Sequence, residues 1–293
     1  MRPIIRPGLR ILRRDVRTLQ IGMGWPGVTW LPDSPALQAV LDAIDGFRDS
    51  AGVVLAAAAS GLPVADCSAA LDQLIDVGAV VDRSASRRPD CGEPAWAALW
   101  LLAGRDSTAA EIFGLRRSCR VHVSGDGPVA EQLSELLPQA HLSVADDAAS
   151  ADLWVLADVK EPPRRRSDDA MRSGLPHVWG YLRDVVGVVG PFVVPGTSAC
   201  LRCVDRTRTE LDPVWFAATS SPPSPVPPID PILAAAVAAL VAQDIVLWAR
   251  GHPPQSLDAV VEIAYDGRVE RHSRPQHPEC GCGWLPLHDT MGA

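Results

Sequence analysis

The chain has 293 residues, 47% of them hydrophobic and 21% charged, which marks a folded protein with room for two cores and excludes a disordered segment. Its formal net charge of −8 argues against a general nucleic-acid or anionic-membrane binder, since both need a basic surface. Lys160 is the one lysine among 27 basic residues, so chemistry that requires a phosphate-gripping or Schiff-base lysine has a single candidate.

The opening Met1-Arg2-Pro3-Ile4-Ile5-Arg6 lacks the apolar core of a signal peptide. The longest apolar run, Ile232 to Ala242, is about half of what a membrane span needs. A soluble, cytoplasmic protein is therefore expected. Seven cysteines, four of them in two close pairs, fit metal ligation in a reducing compartment better than a disulfide framework.

Residues 1–83 predict a compact α+β unit. Leu9 to Leu12, Thr18 to Ile21 and Val28 to Leu31 read as short strands, with a glycine-rich turn from Gly22 to Gly27. Ser34 caps a helix opened by Pro35, Asp49-Ser50 begins a second, and Pro63 opens a third that stops at Gly78. Ala79-Val80-Val81 closes the unit as a strand. This order resembles a winged helix-turn-helix. A DNA-binding role is disfavoured, because the ionisable residues between Leu62 and Gly78 are Asp66, Asp72 and Asp76, which repel phosphates. What remains is a small sheet with an open edge beside an amphipathic helix, an arrangement that accepts an extended peptide as an added strand. Val28, Thr29, Trp30 and Leu31 would form the edge, and Ala70, Leu71 and Leu74 the facing wall. The competing reading is that Trp30, Leu71 and Leu74 are simply core.

Residues 84–118 read as a linker, polar and proline-containing to Pro94, then helical from Ala95 to Ala103 and from Thr108 to Leu115. Residues 119–293 open with a strand (Arg120 to Ser124), then Gly125-Asp126-Gly127-Pro128-Val129-Ala130 and a helix through Leu137. That is the entry to a nucleotide-binding α/β unit, with Gly125 and Gly127 at the loop and Asp146 where a ribose-binding acid stands. The next strands, Leu142 to Val144 and Leu153 to Leu156, leave no space between them for a full crossover helix. Asp158, at a strand end, could have held Mg2+ but has no basic partner in the sequence. The site is read as vestigial, and no bound ATP is expected.

Lys160 to Asp169 reads as an exposed loop, and His177 to Asp184 with Gly187 to Val194 as a hairpin. Pro195-Gly196 turns the chain into Cys200-x-x-Cys203, and Cys280-x-Cys282 lies near the end of the chain. Four thiolates on tetrahedral Zn2+ would tie the two places together, as a structural clamp. Between the pairs come a Pro- and Ser-rich crossover, Leu211 to Pro231, a long helix from Asp230-Pro231 to Arg250, and a hairpin around Asp266-Gly267.

Strand-Gly-x-Gly-helix, a compressed α/β core, Gly190-Pro191-x-x-x-Pro195-Gly196 before Cys200-x-x-Cys203, and the pair Cys280 and Cys282 resemble, in that order, the ThiF/MoeB-like activating enzymes. With the N-terminal unit in front, the chain is similar to the cyclodehydratase partner proteins of thiazole/oxazole-modified microcin biosynthesis. The resemblance implies an α/β fold with a winged-helix peptide-recognition domain, a compressed Rossmann-like domain, a four-cysteine zinc site and a homodimer. It implies a non-catalytic role: binding the leader of a ribosomal precursor peptide and presenting it to a YcaO-type, ATP-dependent cyclodehydratase. The chain departs from ThiF and MoeB in its glycine loop, in the missing basic cradle, in the shorter Cys-x-Cys pair and in a crossover without cysteine. Cys67, Cys91 and Cys119 carry no cue for an activating base. An ATP-dependent adenylyltransferase of the ThiF type and a winged-helix regulator are the alternatives.

Overall fold

The computed structural model describes residues 1–24, 28–83, 91–103, 107–158, 161, 163–220 and 228–284. It divides into two compact units, Met1–Gly114 and Leu115–Ala293. Lys160, most of the 84–94 boundary, the end of the Gly22–Gly27 turn and the middle of the proline-rich crossover lie outside the described residues.

In the first unit, strand β1 (Pro3–Ile5) pairs antiparallel with β5 (Val80–Asp82), and β2 (Ile11–Arg13), β3 (Thr18–Ile21) and β4 (Thr29–Pro32) make a second antiparallel sheet in that order. The two-residue period of a strand sends Leu19, Ile21 and Leu31 inward, while Trp30 stands 60% exposed on the outer face beside Gln20. Strand β1 escapes a pattern search because three residues carry no periodicity. Helix α1 (Pro35–Ala43) starts where Ser34 Oγ accepts from the Leu37 N–H at 3.1 Å, and α2 (Ser50–Ala58) where the Asp49 carboxylate accepts from the Gly52 N–H at 2.8 Å. Helix α3 (Val64–Asp76) buries Cys67, Ala70, Leu71 and Leu74, the i, i+3, i+4, i+7 stripe of an amphipathic helix. Helix α4 (Glu93–Leu102) and the start of α5 (Ala109–Ser118) form a separate small core, in which Trp96 and Trp100 meet edge-to-face at 5.9 Å.

The second unit is a seven-stranded mixed sheet. Its strands are β6 (Arg120–Ser124), β7 (Ser143–Val144), β8 (Leu153–Asp158), β9 (His177–Arg183), β10 (Val186–Val193), β11 (Ala259–Ala264) and β12 (Val269–Ser273), in the order β12-β11-β10-β9-β8-β6-β7. Strands β7, β6, β8 and β9 run parallel, and β10, β11 and β12 extend the sheet antiparallel. The compressed step between β7 and β8 holds only a single 3-10 turn, Ala148–Ser150. Helices α6 (Pro128–Gln139) and α10 (Pro231–Ala249) cover one face through Val129, Leu133, Val237 and Val241. Alanine-rich α10 lies close enough that a Cβ at Gly187 would stand 2.6 Å from a Val237 methyl. The helix continues past Gln243-Asp244 to Ala249. It is thus long and apolar enough to cross a membrane, contrary to the shorter run expected, but here it packs on α6, β9 and β10.

The other face carries α7 (Arg164–Ser173) and α8 (Leu201–Leu211) on Leu156, Trp179, Tyr181 and Val188. The loop expected from Lys160 to Asp169 is therefore helical from Arg164 onward. The Arg164-Arg165-Arg166 run, which looks solvated in sequence, places Arg164 in partly buried ion pairs. A further helix, α9 (Trp215–Ser220), follows α8.

Candidate metal centre, sheet end and open edge

The four-cysteine site is assembled from the end of β10 and the chain's last described turn. After Val193, the Thr197 and Ser198 N–H groups both donate to the Val194 carbonyl, and Ser198 Oγ accepts from the Val194 N–H. The Ala199 N–H is held by Asp258 at 2.7 Å. Cys200 caps α8 and Cys203 lies in its first turn, where the unsatisfied N–H groups and the helix dipole favour thiolates. Gly281, at φ +75°, lets the 280–282 turn bring both of its sulfurs to the same point.

All four Sγ atoms lie within 4.8 Å of one another, with Cys200–Cys203 at 3.9 Å, Cys200–Cys280 at 3.6 Å and Cys203–Cys282 at 3.4 Å. A tetrahedron with Zn–S bonds near 2.3 Å has edges of about 3.8 Å, so the sulfurs stand at metal-ligand spacing, well beyond a disulfide bond of about 2 Å. The cluster can hold a metal ion. Around it, the Gln276 amide reaches Cys282 Sγ at 4.0 Å and the Ser198 carbonyl at 3.2 Å. His277 bridges the Glu210 carboxylate at 2.9 Å and accepts from the Glu279 N–H at 3.2 Å. The Cys203 thiol is held below its usual range, first because the Cys200 thiol donates to it and further through the His277 N–H, and the Cys200 thiol is correspondingly pushed up.

The second constellation lies at the C-terminal end of the parallel strands. Because β6, β7 and β8 share a direction, their ends bring Gly125, Asp146 and Asp158 to one end of the sheet. Gly125, at φ +133°, is forced by its neighbour, for a Cβ there would fall 1.5 Å from the Ala157 carbonyl oxygen. Gly127 caps α6 with Pro128 behind it, so one of the donors a phosphate would use is missing. Asp146 is exposed just beyond β7, and Asp158 is buried at the end of β8. Contrary to the sequence reading, Asp158 does have a basic neighbour, Arg166, at 3.8 Å.

Sequence reasoning missed the ion-pair network beside it. Arg164 binds Asp205 through two bonds of 2.6 and 2.9 Å and reaches Glu161 at 3.3 Å. Arg183 joins Glu161 and Glu262, and Arg208 joins Glu262 at 2.8 Å. The Trp215 ring stands 5.2 Å from the Arg183 guanidinium and 4.4 Å from that of Arg208. Burial raises the Glu262 pKa, but Arg208 and Arg183 outweigh it and hold the carboxylate below its usual range. These residues come from five elements and the 161 turn, so no local pattern announces them; the arginine-rich stretches were the only available signal.

In the first unit, β4 pairs with β3 on one side and with no described strand on the other. Val28 is 38% exposed and Trp30 has Arg14 stacked on its ring at 4.6 Å, whereas Leu31 points into the core. Ala70, Leu71 and Leu74, expected as the facing wall, are buried with Val40 and Val53 and expose no surface of consequence.

No family model and no curated protein sequence matches the chain. Solved structures do. The Microcin C7 biosynthetic enzyme MccB in complex with N-formylated MccA aligns at TM-score 0.69 and 14% identity, over 97% of this chain and 100% of that one. E. coli MccB with ATP aligns at 0.66 and 14%, again over 97% and 100%. A heterocyclase in complex with substrate and cofactor aligns at 0.69 and 16%, over 96% of this chain but 39% of that chain. The chain shares their fold.

Proposed function

We propose that this chain is a recognition protein for a ribosomally made precursor peptide. Its N-terminal winged-helix unit would bind the leader and present the rest to a YcaO-type, ATP-dependent cyclodehydratase. The observation that carries this reading is the outer edge of β4, which pairs with no described strand, with a largely exposed tryptophan on a small, well-supported sheet. An extended leader adds there as a further strand, each backbone hydrogen bond contributing roughly 0.5–1.5 kcal/mol, and Trp30 anchors one side chain. Ala70, Leu71 and Leu74 support the sheet from the core side and do not touch the peptide. Acidic α3 repels nucleic acid.

The heterocyclase alignment favours division of labour: this fold matches the smaller part of that chain, and we assign the ATP-consuming step to a separate partner. At the sheet end, Arg164, Arg183 and Arg208 are engaged with carboxylates, so among the described residues a triphosphate would have to break existing ion pairs to be neutralised. Zn2+ held by Cys200, Cys203, Cys280 and Cys282 fastens the frame, and the assembly is a homodimer. Calorimetric titration with precursor peptides encoded beside the gene tests the assignment; binding that persists unchanged without residues 1–83 defeats it.

A second reading, an ATP-dependent adenylyltransferase, is favoured by the end-to-end alignment with MccB and by the Asp158–Arg166 pair. ATP–pyrophosphate exchange that disappears in Asp158→Ala would establish it.

A further inference from the structure

We propose that Cys280 is the oxidisable ligand of the four-sulfur centre, and that a hydroperoxide opens the clamp by linking Cys280 to Cys200. This rests on the reading that the four cysteines hold zinc. A purely structural zinc site needs no access from solvent, and three of the four residues follow that rule: Cys200, Cys203 and Cys282 are 2%, 0% and 9% exposed. Cys280 does not. It is half-buried and, with the buried Cys200 and Cys282, borders a cavity of about 280 Å³ beside α7 and the 280–282 turn, large enough for a peroxide molecule and its water shell; Cys203 does not line it. Arg172 and Arg202 stand on the cavity wall. Arg202 is held in place by Asp168 through two bonds of 2.9 and 2.8 Å. A fixed cation on the cavity wall is placed to stabilise the hydroxide that leaves the peroxide.

The chemistry balances without another reactant. The Cys280 thiolate attacks one peroxide oxygen, the O–O bond breaks, hydroxide departs and is protonated to water, and a sulfenic acid remains. The Cys200 thiolate, with its sulfur 3.6 Å away, then attacks that sulfenic sulfur. A second hydroxide leaves and takes up a proton, and the S–S bond forms. Two thiolates have lost one electron each, and the peroxide has become two waters. Zinc, left with Cys203 and Cys282, is released. The Cys203–Cys282 pair is closer at 3.4 Å, but Cys203 is fully buried and off the cavity, whereas Cys200 and Cys280 both border it and Cys280 is the more exposed first target, which selects the Cys200–Cys280 link.

The experiment uses the full chain as purified, its zinc quantified by elemental analysis, titrated with hydrogen peroxide in the presence of a chromogenic zinc chelator. Zinc is expected to leave together with two titratable thiols, peptide mapping is expected to show Cys200 joined to Cys280, and a dithiol with added zinc should restore the starting state. In Cys280→His the imidazole keeps a fourth ligand that peroxide does not convert to a disulfide, and zinc release is expected to be roughly tenfold slower. Equal release rates in wild type and Cys280→His overturn the proposal, as does a link between Cys203 and Cys282 or zinc that stays bound. If Cys280→His does not fold, the mapped link in the wild type decides alone. A chain purified without zinc overturns the metal reading itself.

Discussion

Trp30 and Leu74 separate a binding surface from a core by measurement. Trp30 is 60% exposed, and among the described residues the Arg14 guanidinium stacks on its ring. An exposed cation–π contact contributes about 0.5–1 kcal/mol, so Trp30→Ala should lower unfolding free energy by no more than about that amount. If Trp30 anchors the added strand, the same change should weaken peptide binding by about 2 kcal/mol or more, roughly a thirtyfold rise in Kd. Leu74 is fully buried in the N-terminal core, and Leu74→Ala should remove about 2–5 kcal/mol of stability. Urea unfolding and calorimetric titration on the two variants give both quantities. Trp30→Ala that binds the peptide as tightly as wild type would refute the edge as the binding surface. Trp30→Ala that unfolds as readily as Leu74→Ala would show that the residue belongs to the core.

Chelation of the four-cysteine centre should lower the thermal midpoint of the second unit, because structural zinc contributes on the order of 10–16 kcal/mol of binding free energy; elemental analysis before and after calorimetry checks it. His177 is fully buried, and burial pushes its pKa to about 4 from 6.5. Between those values the unfolded chain binds the proton that the folded chain refuses, so stability is full above pH 6.5 and falls by up to about 3 kcal/mol as pH drops toward 4. His177→Asn can keep the bond to the Leu175 carbonyl without titrating, so its urea midpoints across this range should lack that component. Gly125→Ala places a methyl onto the Ala157 carbonyl and should abolish soluble expression or lower the midpoint far more than Gly24→Ala, where a Cβ meets nothing within 4 Å. Arg164→Met leaves Asp205 without its bidentate partner and should cost about 3–5 kcal/mol if the pair behaves as buried, less to the extent that its 22% exposure screens it; chemical denaturation reads this directly.

Local chemistry was legible wherever one residue acts on its immediate neighbours. Ser34, Asp49 and Asp230 each accept a helical N–H three residues on, as Ser/Asp before an apolar run predicts. The parallel β6-α6 entry and both cysteine pairs were also visible, because their spacing is itself the signal. The Lys160–Asp169 stretch misled because charged residues at helical spacing look the same whether solvated or facing carboxylates from another element. Ala70, Leu71 and Leu74 misled for a related reason: an apolar stripe says that a helix face is covered, and does not say by what.

The amino-acid order by itself determined most of the elements, with their caps and turns, and the existence of a four-sulfur ligand set, since each of these depends on separations of a few residues; β1, α7 and α9 were the exceptions. Only the tertiary structure decided that Cys200 and Cys280 approach to 3.6 Å, that Arg164, Arg183 and Arg208 are taken up by Asp205, Glu161 and Glu262, and that Trp30 faces outward on a strand whose far edge pairs with no described strand. Burial and pairing are properties of what arrives from the distant chain, and a linear sequence does not specify which surface meets which.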